Sequence, residues 1–425
     1  MSLSSVRRVR RLIYDRFGCD CRRQPCRGRA AEALRLNGYE GRIVLIGEER
    51  WLPYERPPLS KECLWDRDQL PENFFLHDQQ WYEDNKIELE LGVRAEALEL
   101  SGRGVRLASG KEIPADRILL ATGGKARLLP LDGATAANVH HLRTKDDADR
   151  LAADLKPGAR IVVIGMGVIG AEVAASARKS GCEVTAIEPA PVPMIRTLGA
   201  HFGAWLGREH DKRGVKARYG IGVTRLYLDG GLVRTVELDD GTRIDCDAVV
   251  VGIGIVPSTE LAANAGLAIG NGIVVDRQGR TSHEAVFAAG DVADQPNFFG
   301  GRVRLETYQN AADQGMAAAQ AMIGREVDYL KPCWFWSDQY DINIQVSGRI
   351  DDSLPVVMRG ELDSSQFTAF FLDGNVVAGV LTANRAVDMG VGKRMVERRL
   401  EVDPGQLGDA SIPLREFLKP KARAA

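Results

Sequence analysis

Residues 161–188, IVVIGMGVIGAEVAASARKSGCEVTAIE, constrain this chain more than any other stretch. Ile161 to Ile164 is an apolar run of the kind that forms a buried parallel strand. It breaks into Gly165-x-Gly167-x-x-Gly170, continues as an Ala-rich helix and returns as a second strand from Glu183 to Ile187. Each glycine answers a physical need. Gly165 permits the tight turn, Gly167 lets backbone approach a pyrophosphate, and Gly170 lets helix and strand pack closely. The helix start adds unpaired N–H groups and a partial positive charge for the phosphates. Glu188 closes the unit, placed to accept hydrogen bonds from ribose hydroxyls. A carboxylate there repels a 2′-phosphate, so the pattern favours NADH over NADPH.

At 425 residues the chain has room for about three domains. A formal charge of −2 and the lack of a basic block with interleaved aromatics give no reason to expect nucleic acid. No apolar stretch approaches the roughly 20 residues of a membrane span. The N-terminus carries arginines without a signal-type apolar core, so a cytoplasmic location is expected. Among seven cysteines, Cys182, Cys246 and Cys333 read as core thiols. Cys19, Cys21 and Cys26 are crowded together but lack a fourth ligand, and no metal site is expected.

Further strands are expected at Arg42–Gly47, Arg117–Thr122, Asp247–Gly254 and Ala285–Asp291, the last delivering a carboxylate. Residues 86–117 alternate in short runs and suggest a small antiparallel meander. Asn310–Ile323 reads as a helix closed by Gly324. From Lys331 the character changes. Trp334 and Trp336 lead into strand-like runs at 342–346, 355–359, 367–372 and 376–381, then a helix over 386–400. The expected fold is α/β: two Rossmann-like three-layer domains, one inserted in the other, plus a C-terminal α+β domain. The boundaries read as 1–122 with 257–330, then 123–256, then 331–425.

The ordered set of motifs resembles the oxygenase-coupled NADH:ferredoxin reductases, the FAD-dependent family of putidaredoxin and rubredoxin reductases. Its elements run from Pro53-Tyr54-Glu55-Arg56-Pro57-Pro58-Leu59-Ser60-Lys61 through Leu120-Ala121-Thr122-Gly123-Gly124 and the NAD glycines. They continue with Gly252-x-Gly254-x-x-Pro257, Ala289-Gly290-Asp291-Val292 and Trp336-Ser337-Asp338-Gln339. The resemblance implies FAD and NADH as cofactors and a small [2Fe–2S] ferredoxin, feeding an oxygenase, as partner. It implies that Asp291 meets the ribityl chain, that Arg56, Lys61 and Arg127 face the flavin or its phosphates, and that Glu48 meets the adenosine ribose of FAD. Val93 and Val303 match backbone contacts to FAD. Glu172, on the helix after the NAD glycines, joins the cofactor-binding set. Trp336 matches the aromatic near the reacting rings, the one residue assigned to catalysis. Asp291 also suits a helix N-cap, and Trp336 a core position at a domain junction. Cys63 stands without a nearby partner, which argues against disulfide chemistry. Arg302, Arg304, Lys393, Arg394, Arg398 and Arg399 are candidates for steering an acidic ferredoxin.

One departure stands out. The family's first glycine loop falls here on Arg22, Gln24 and Arg27, and Phe17 to Cys21 is not an apolar strand. Residues 1–29 are Arg- and Cys-rich, unlike the remainder. A shifted reading frame accounts for this. Codons for Phe17–Arg27 moved one base forward allow Ser-Val-Ala-Ile-Val-Gly-Ala-Ser-His-Ala-Gly, a strand and a phosphate loop. A divergent N-terminus is the alternative. Taken literally, the chain loses its first strand, leaves a sheet position unfilled, and could be a flavin-free NAD(H)-binding remnant. A quinone, oxygen or rubredoxin acceptor remains a further reading.

Overall fold

The computed structural model describes residues 11–15, 26–66, 69–101 and 104–419. Its first unit is built on a five-stranded sheet in the order 286–288, 117–120, 11–15, 42–47, 87–91, every pairing parallel. The strand Arg42–Gly47 shows why the sheet is covered on both faces. Ile43 and Leu45 point to a cluster with the helices Cys26–Leu36 and Tyr308–Met322, while Val44 and Ile46 point to the opposite side. Small residues let the two helices approach: a Cβ on Gly315 would lie 2.6 Å from the carbonyl oxygen of Cys26. On the other face lies a three-stranded antiparallel meander, 95–99, 104–107 and 112–114.

Two expectations need correction. Ile87–Leu91 does not belong to the meander; it is the parallel edge strand beside Arg42–Gly47. Its alternation reflects an edge strand with one side on the core. Nor is a sheet position left empty. Arg11–Asp15 fills the slot between Arg42–Gly47 and Arg117–Leu120, with Ile13 opposite both Val44 and Ile118. Of the frame-shifted strand and loop proposed for Phe17–Arg27, residues 17–25 lie outside the described residues, as do Cys19 and Cys21.

A second unit repeats the plan. Its five strands, in the order 215–219, 183–188, 160–164, 248–251, 139–140, are again all parallel. The helices Val168–Lys179 and Ile195–Lys212 cover one face, and the meander 223–229, 232–238 and 243–245 covers the other. An antiparallel pair, 124–126 with 255–257, runs where the chain enters and leaves this unit.

From Trp334 the chain forms a five-stranded antiparallel sheet in the order 334–339, 342–348, 376–383, 366–373, 356–361. Gln366–Asp373 is buried along both faces, which explains its apolar run. Phe370 and Leu372 meet the helix Ala386–Glu397. Phe367 meets the second unit instead, with ring centroids 5.6 Å from Phe202 and 5.0 Å from Trp205. These rings belong to one apolar cluster that also takes in Leu59, Leu64 and Phe74 of the first unit.

Candidate functional site at the junction of three units

A cavity of about 630 Å³ opens where the three units meet. The NAD-type turn forms part of its wall. Gly165 adopts φ +89°, and a Cβ there would lie 2.7 Å from the carbonyl oxygen of Gly252. A Cβ on Gly170 would fall 1.8 Å from the carbonyl oxygen of Gly165, so helix and turn are in contact. Gly167 differs: nothing lies within 4 Å of where its Cβ would point, and it caps the helix Val168–Lys179. Open space at a helix N-terminus is the geometry a pyrophosphate needs. The Glu188 carboxylate reaches the same turn, accepting from the backbone N–H of Met166 at 2.6 Å and of Ala190 at 2.9 Å.

Buried charge lines the opposite wall. The loop before the short helix Glu62–Trp65 carries Arg56 and Lys61, only 2% and 5% exposed. Arg56 donates to Glu49 at 2.6 Å and to the carbonyl oxygen of Arg143. Lys61 Nζ is 3.0 Å from Glu172 Oε2 on the second unit's helix. Asp291 follows the strand Val286–Ala288 and is 2% exposed; one of its oxygens is 3.8 Å from the Arg143 guanidinium. Such groups stay charged in a buried site only when paired. Here Glu49, Glu172 and Asp291 meet Arg56, Lys61 and Arg143.

Of the expected site residues, Arg56, Lys61, Gly167, Glu172, Asp291 and Val303 all line this cavity. Gly165, Gly170 and Glu188 shape the turn beside it. Glu48 is exposed at the end of Arg42–Gly47, where Val93 donates its N–H to the carbonyl oxygen of Gly47 at 3.1 Å; neither residue lines the cavity. Arg127 is exposed and also outside the lining. It follows the 124–126 strand and turns outward, whereas Arg143, missed in the sequence, points in. A signal for Arg143 existed. Thr144 and Asp147 form a capping box, so the residue just before it sits at the mouth of the second sheet. Trp336 is not in the lining either. Strand alternation puts Phe335 and Ser337 inward, and Trp336 outward against Tyr308 (centroids 5.6 Å) and Trp334 (5.3 Å).

Cys333 is the thiol in the cavity wall, and Cys63, two residues after Lys61, lies outside the lining. Burial pushes the Cys63 thiol up to about 12, leaving it protonated at neutral pH. Among the described residues no cluster of His, Cys, Asp and Glu could hold a metal ion. Cys26 is buried in its helix.

The residues present fit a flavin at the ring end: the room, the buried cations and the Asp291 carboxylate are all there. The phosphate end depends on residues 16–25, outside the described residues. At their exit stands Arg27, 1% exposed, in the third glycine position. It donates to the carbonyl oxygen of Ile46 at 3.2 Å, and its guanidinium lies 2.2 Å from where a Cβ on Gly47 would be.

Comparison with known proteins gives this arrangement a family. Residues 28–315 match pyridine nucleotide-disulphide oxidoreductases, and 334–418 match the reductase C-terminal domain. The ferredoxin–NAD(+) reductase component of the p-cumate 2,3-dioxygenase system of Pseudomonas putida is 41% identical over 91% of this chain and 94% of its own length. Rhodocoxin reductase of Rhodococcus erythropolis is 38% identical, over 91% and 90%. Among solved structures, the covalent putidaredoxin reductase–putidaredoxin complex superposes with a TM-score of 0.90, at 33% identity over 96% of this chain and 98% of the other. The ferredoxin reductase for the CYP199A2 system of Rhodopseudomonas palustris gives 0.89, at 35% identity over 95% and 99%. The chain belongs to the pyridine nucleotide-disulphide oxidoreductase family, in the branch that ends in a reductase C-terminal domain.

Proposed function

We propose that this chain is an FAD-dependent reductase that takes electrons from NADH and passes them to a small [2Fe–2S] ferredoxin serving an oxygenase. The observation that carries the reading is the meeting of an open NAD-type glycine turn and a wall of buried cations across one cavity. Bound there, FAD supplies the exchange between a two-electron hydride donor and a one-electron acceptor. The chain's part is to bind, orient and exclude water. Gly167 and the helix behind it would receive the NADH pyrophosphate, and Glu188 its ribose. Arg56, Lys61, Arg143 and Asp291 would hold the flavin. No side chain need move a proton for hydride transfer.

The relatives named as reductase components of dioxygenase systems support ferredoxin as acceptor. A basic face for it narrows in the structure. Arg302 pairs with Asp294 at 3.3 Å and Arg304 with Glu306 at 2.5 Å, whereas Arg394, Arg398 and Arg399 are exposed at the end of the last long helix. No described helix is long and apolar enough to cross a membrane. Cys63 and Cys246 are free thiols, which suits a cytoplasmic location.

The test is spectroscopic and then kinetic. Purified protein supplied with FAD should show flavin bands that bleach with NADH, and should reduce a [2Fe–2S] ferredoxin at a rate that falls with ionic strength. A colourless protein that binds NADH alone would reverse the assignment, and a salt-independent rate would remove the basic face.

A further inference from the structure

The buried polar groups at the back of the cavity continue well past the residues used above. Lys61 and Glu172 are the near end. Ser337 Oγ donates to Glu172 Oε1 at 2.7 Å, and Gln339 Nε2 donates to Ser337 Oγ at 3.0 Å. Gln339 Oε1 is 2.9 Å from His210 Nε2, and His210 Nδ1 is 2.8 Å from the Tyr340 hydroxyl. Ser337, Gln339 and His210 are fully buried, and Glu172 is 1% exposed. The line starts on the first unit's loop, crosses the helix Val168–Lys179, enters the C-terminal strand Trp334–Gln339 and ends on the helix Ile195–Lys212.

Donor counting fixes its direction. An ionised carboxylate only accepts, so the Ser337 hydroxyl gives its one proton to Glu172 and must accept from Gln339. That turns the amide NH₂ toward Ser337, with Met194 Sδ a second acceptor at 3.4 Å, and leaves the amide oxygen facing His210. An amide oxygen also only accepts. His210 therefore carries its proton on Nε2 and takes the Tyr340 hydroxyl on Nδ1. Every bond points toward Glu172. Hydrogen bonds aligned in series polarise one another, and in a dry interior that effect is felt at the charged end.

We propose that His210 is a positioning residue: through Gln339, Ser337 and Glu172 it fixes the ammonium of Lys61 on the cavity wall. The proposal rests on the reading of this cavity as the flavin site. Burial, the main cause, together with Arg213 nearby, pushes the imidazole down to about 4, which agrees with a neutral ring held in one tautomer.

Two measurements test it. Nitrogen-15 spectra of histidine-labelled protein need no flavin. His210 should appear as the neutral Nε2–H tautomer, unchanged from about pH 8 to pH 5. A Nδ1–H tautomer, or titration near the ordinary histidine range, would overturn the direction of the line. In the FAD-loaded enzyme, His210→Phe and Gln339→Leu should each slow flavin reduction by NADH roughly three- to tenfold and shift the flavin absorption bands, with KM for NADH unchanged. Made in a Lys61→Met background, neither should change the rate or spectrum further. Additive effects would overturn the proposal and leave His210 a structural contact between units. Should His210→Phe fail to fold, Tyr340→Phe removes only the outermost bond. It should move the same bands by a smaller amount, again only while Lys61 is present. A chain that takes up no flavin would remove the role of Lys61 and the flavin reading together, whereas the histidine spectrum still decides the tautomer.

Discussion

In the second nucleotide unit three residues, 165–167, carry the chain from the strand Arg160–Ile164 into the helix Val168–Lys179; in the first, the corresponding stretch between Arg11–Asp15 and Cys26–Leu36 lies outside the described residues, and what is described there is the strand before it and Arg27 after it. The two units otherwise share a plan: five parallel strands, helices on one face, a three-stranded meander on the other. The comparison separates two demands usually met by one motif. Filling the central sheet position needs an extended segment in register with both neighbours, and Arg11–Asp15 supplies it. Cradling a pyrophosphate needs open backbone at the helix start. Gly167 supplies that in one unit, while Arg27 stands in the third glycine position of the other.

The largest way to break the contrast is Gly170→Ala. Its methyl group would meet the Gly165 carbonyl, so thermal unfolding should show a loss of about 3–5 kcal/mol, with NADH binding lost as well. An unchanged melting curve would mean that the turn relaxes freely.

Acid comes next. Burial pushes His210 down to about 4, while an unfolded histidine binds its proton near 6.5. Between those values the unfolded chain takes up a proton that the folded chain refuses. Stability should therefore fall as pH drops from about 6.5 toward 4, by up to about 3 kcal/mol. Melts of His210→Phe against the parent should differ in slope across that window; parallel slopes would refute the assignment.

Replacing Arg22–Arg27 by Gly-Ala-Ser-His-Ala-Gly should then tighten FAD binding by about tenfold or more, read by fluorescence quenching on titration. A chain that holds FAD equally well without the glycines would show that Arg22–Arg27 as they stand already serve the phosphates. Glu188→Ala should weaken NADH by about tenfold and narrow its preference over NADPH, whereas Arg127→Ala should change neither cofactor's affinity by more than about twofold, since the residue is exposed.

What the sequence discloses follows from how strongly burial constrains each segment. Arg42–Gly47 and Ile161–Ile164 are read correctly because strands covered on both faces leave continuous apolar runs. The NAD turn is legible because each glycine has its own steric reason. Ile87–Leu91 is assigned to the wrong sheet because alternation reports one exposed side without saying which neighbour pairs. Arg11–Asp15 escapes notice since five residues among arginines carry little pattern. The site is harder. Arg127 and Arg143 are equally cationic on paper, and only the fold turns one outward. Trp336 lies one step of the pleat from Phe335, which lines the cavity where Trp336 does not.

The apolar cluster joining Leu59 and Phe74 to Trp205, Phe202 and Phe367 has a practical outcome for anyone wishing to dissect this protein. Cut away after about residue 330, the remaining chain would present Phe202 and Trp205 to water with no ring to receive them. The polypeptide is thus a poor donor of transplantable modules: its electron-carrying parts are soldered along a greasy seam and should melt as one body.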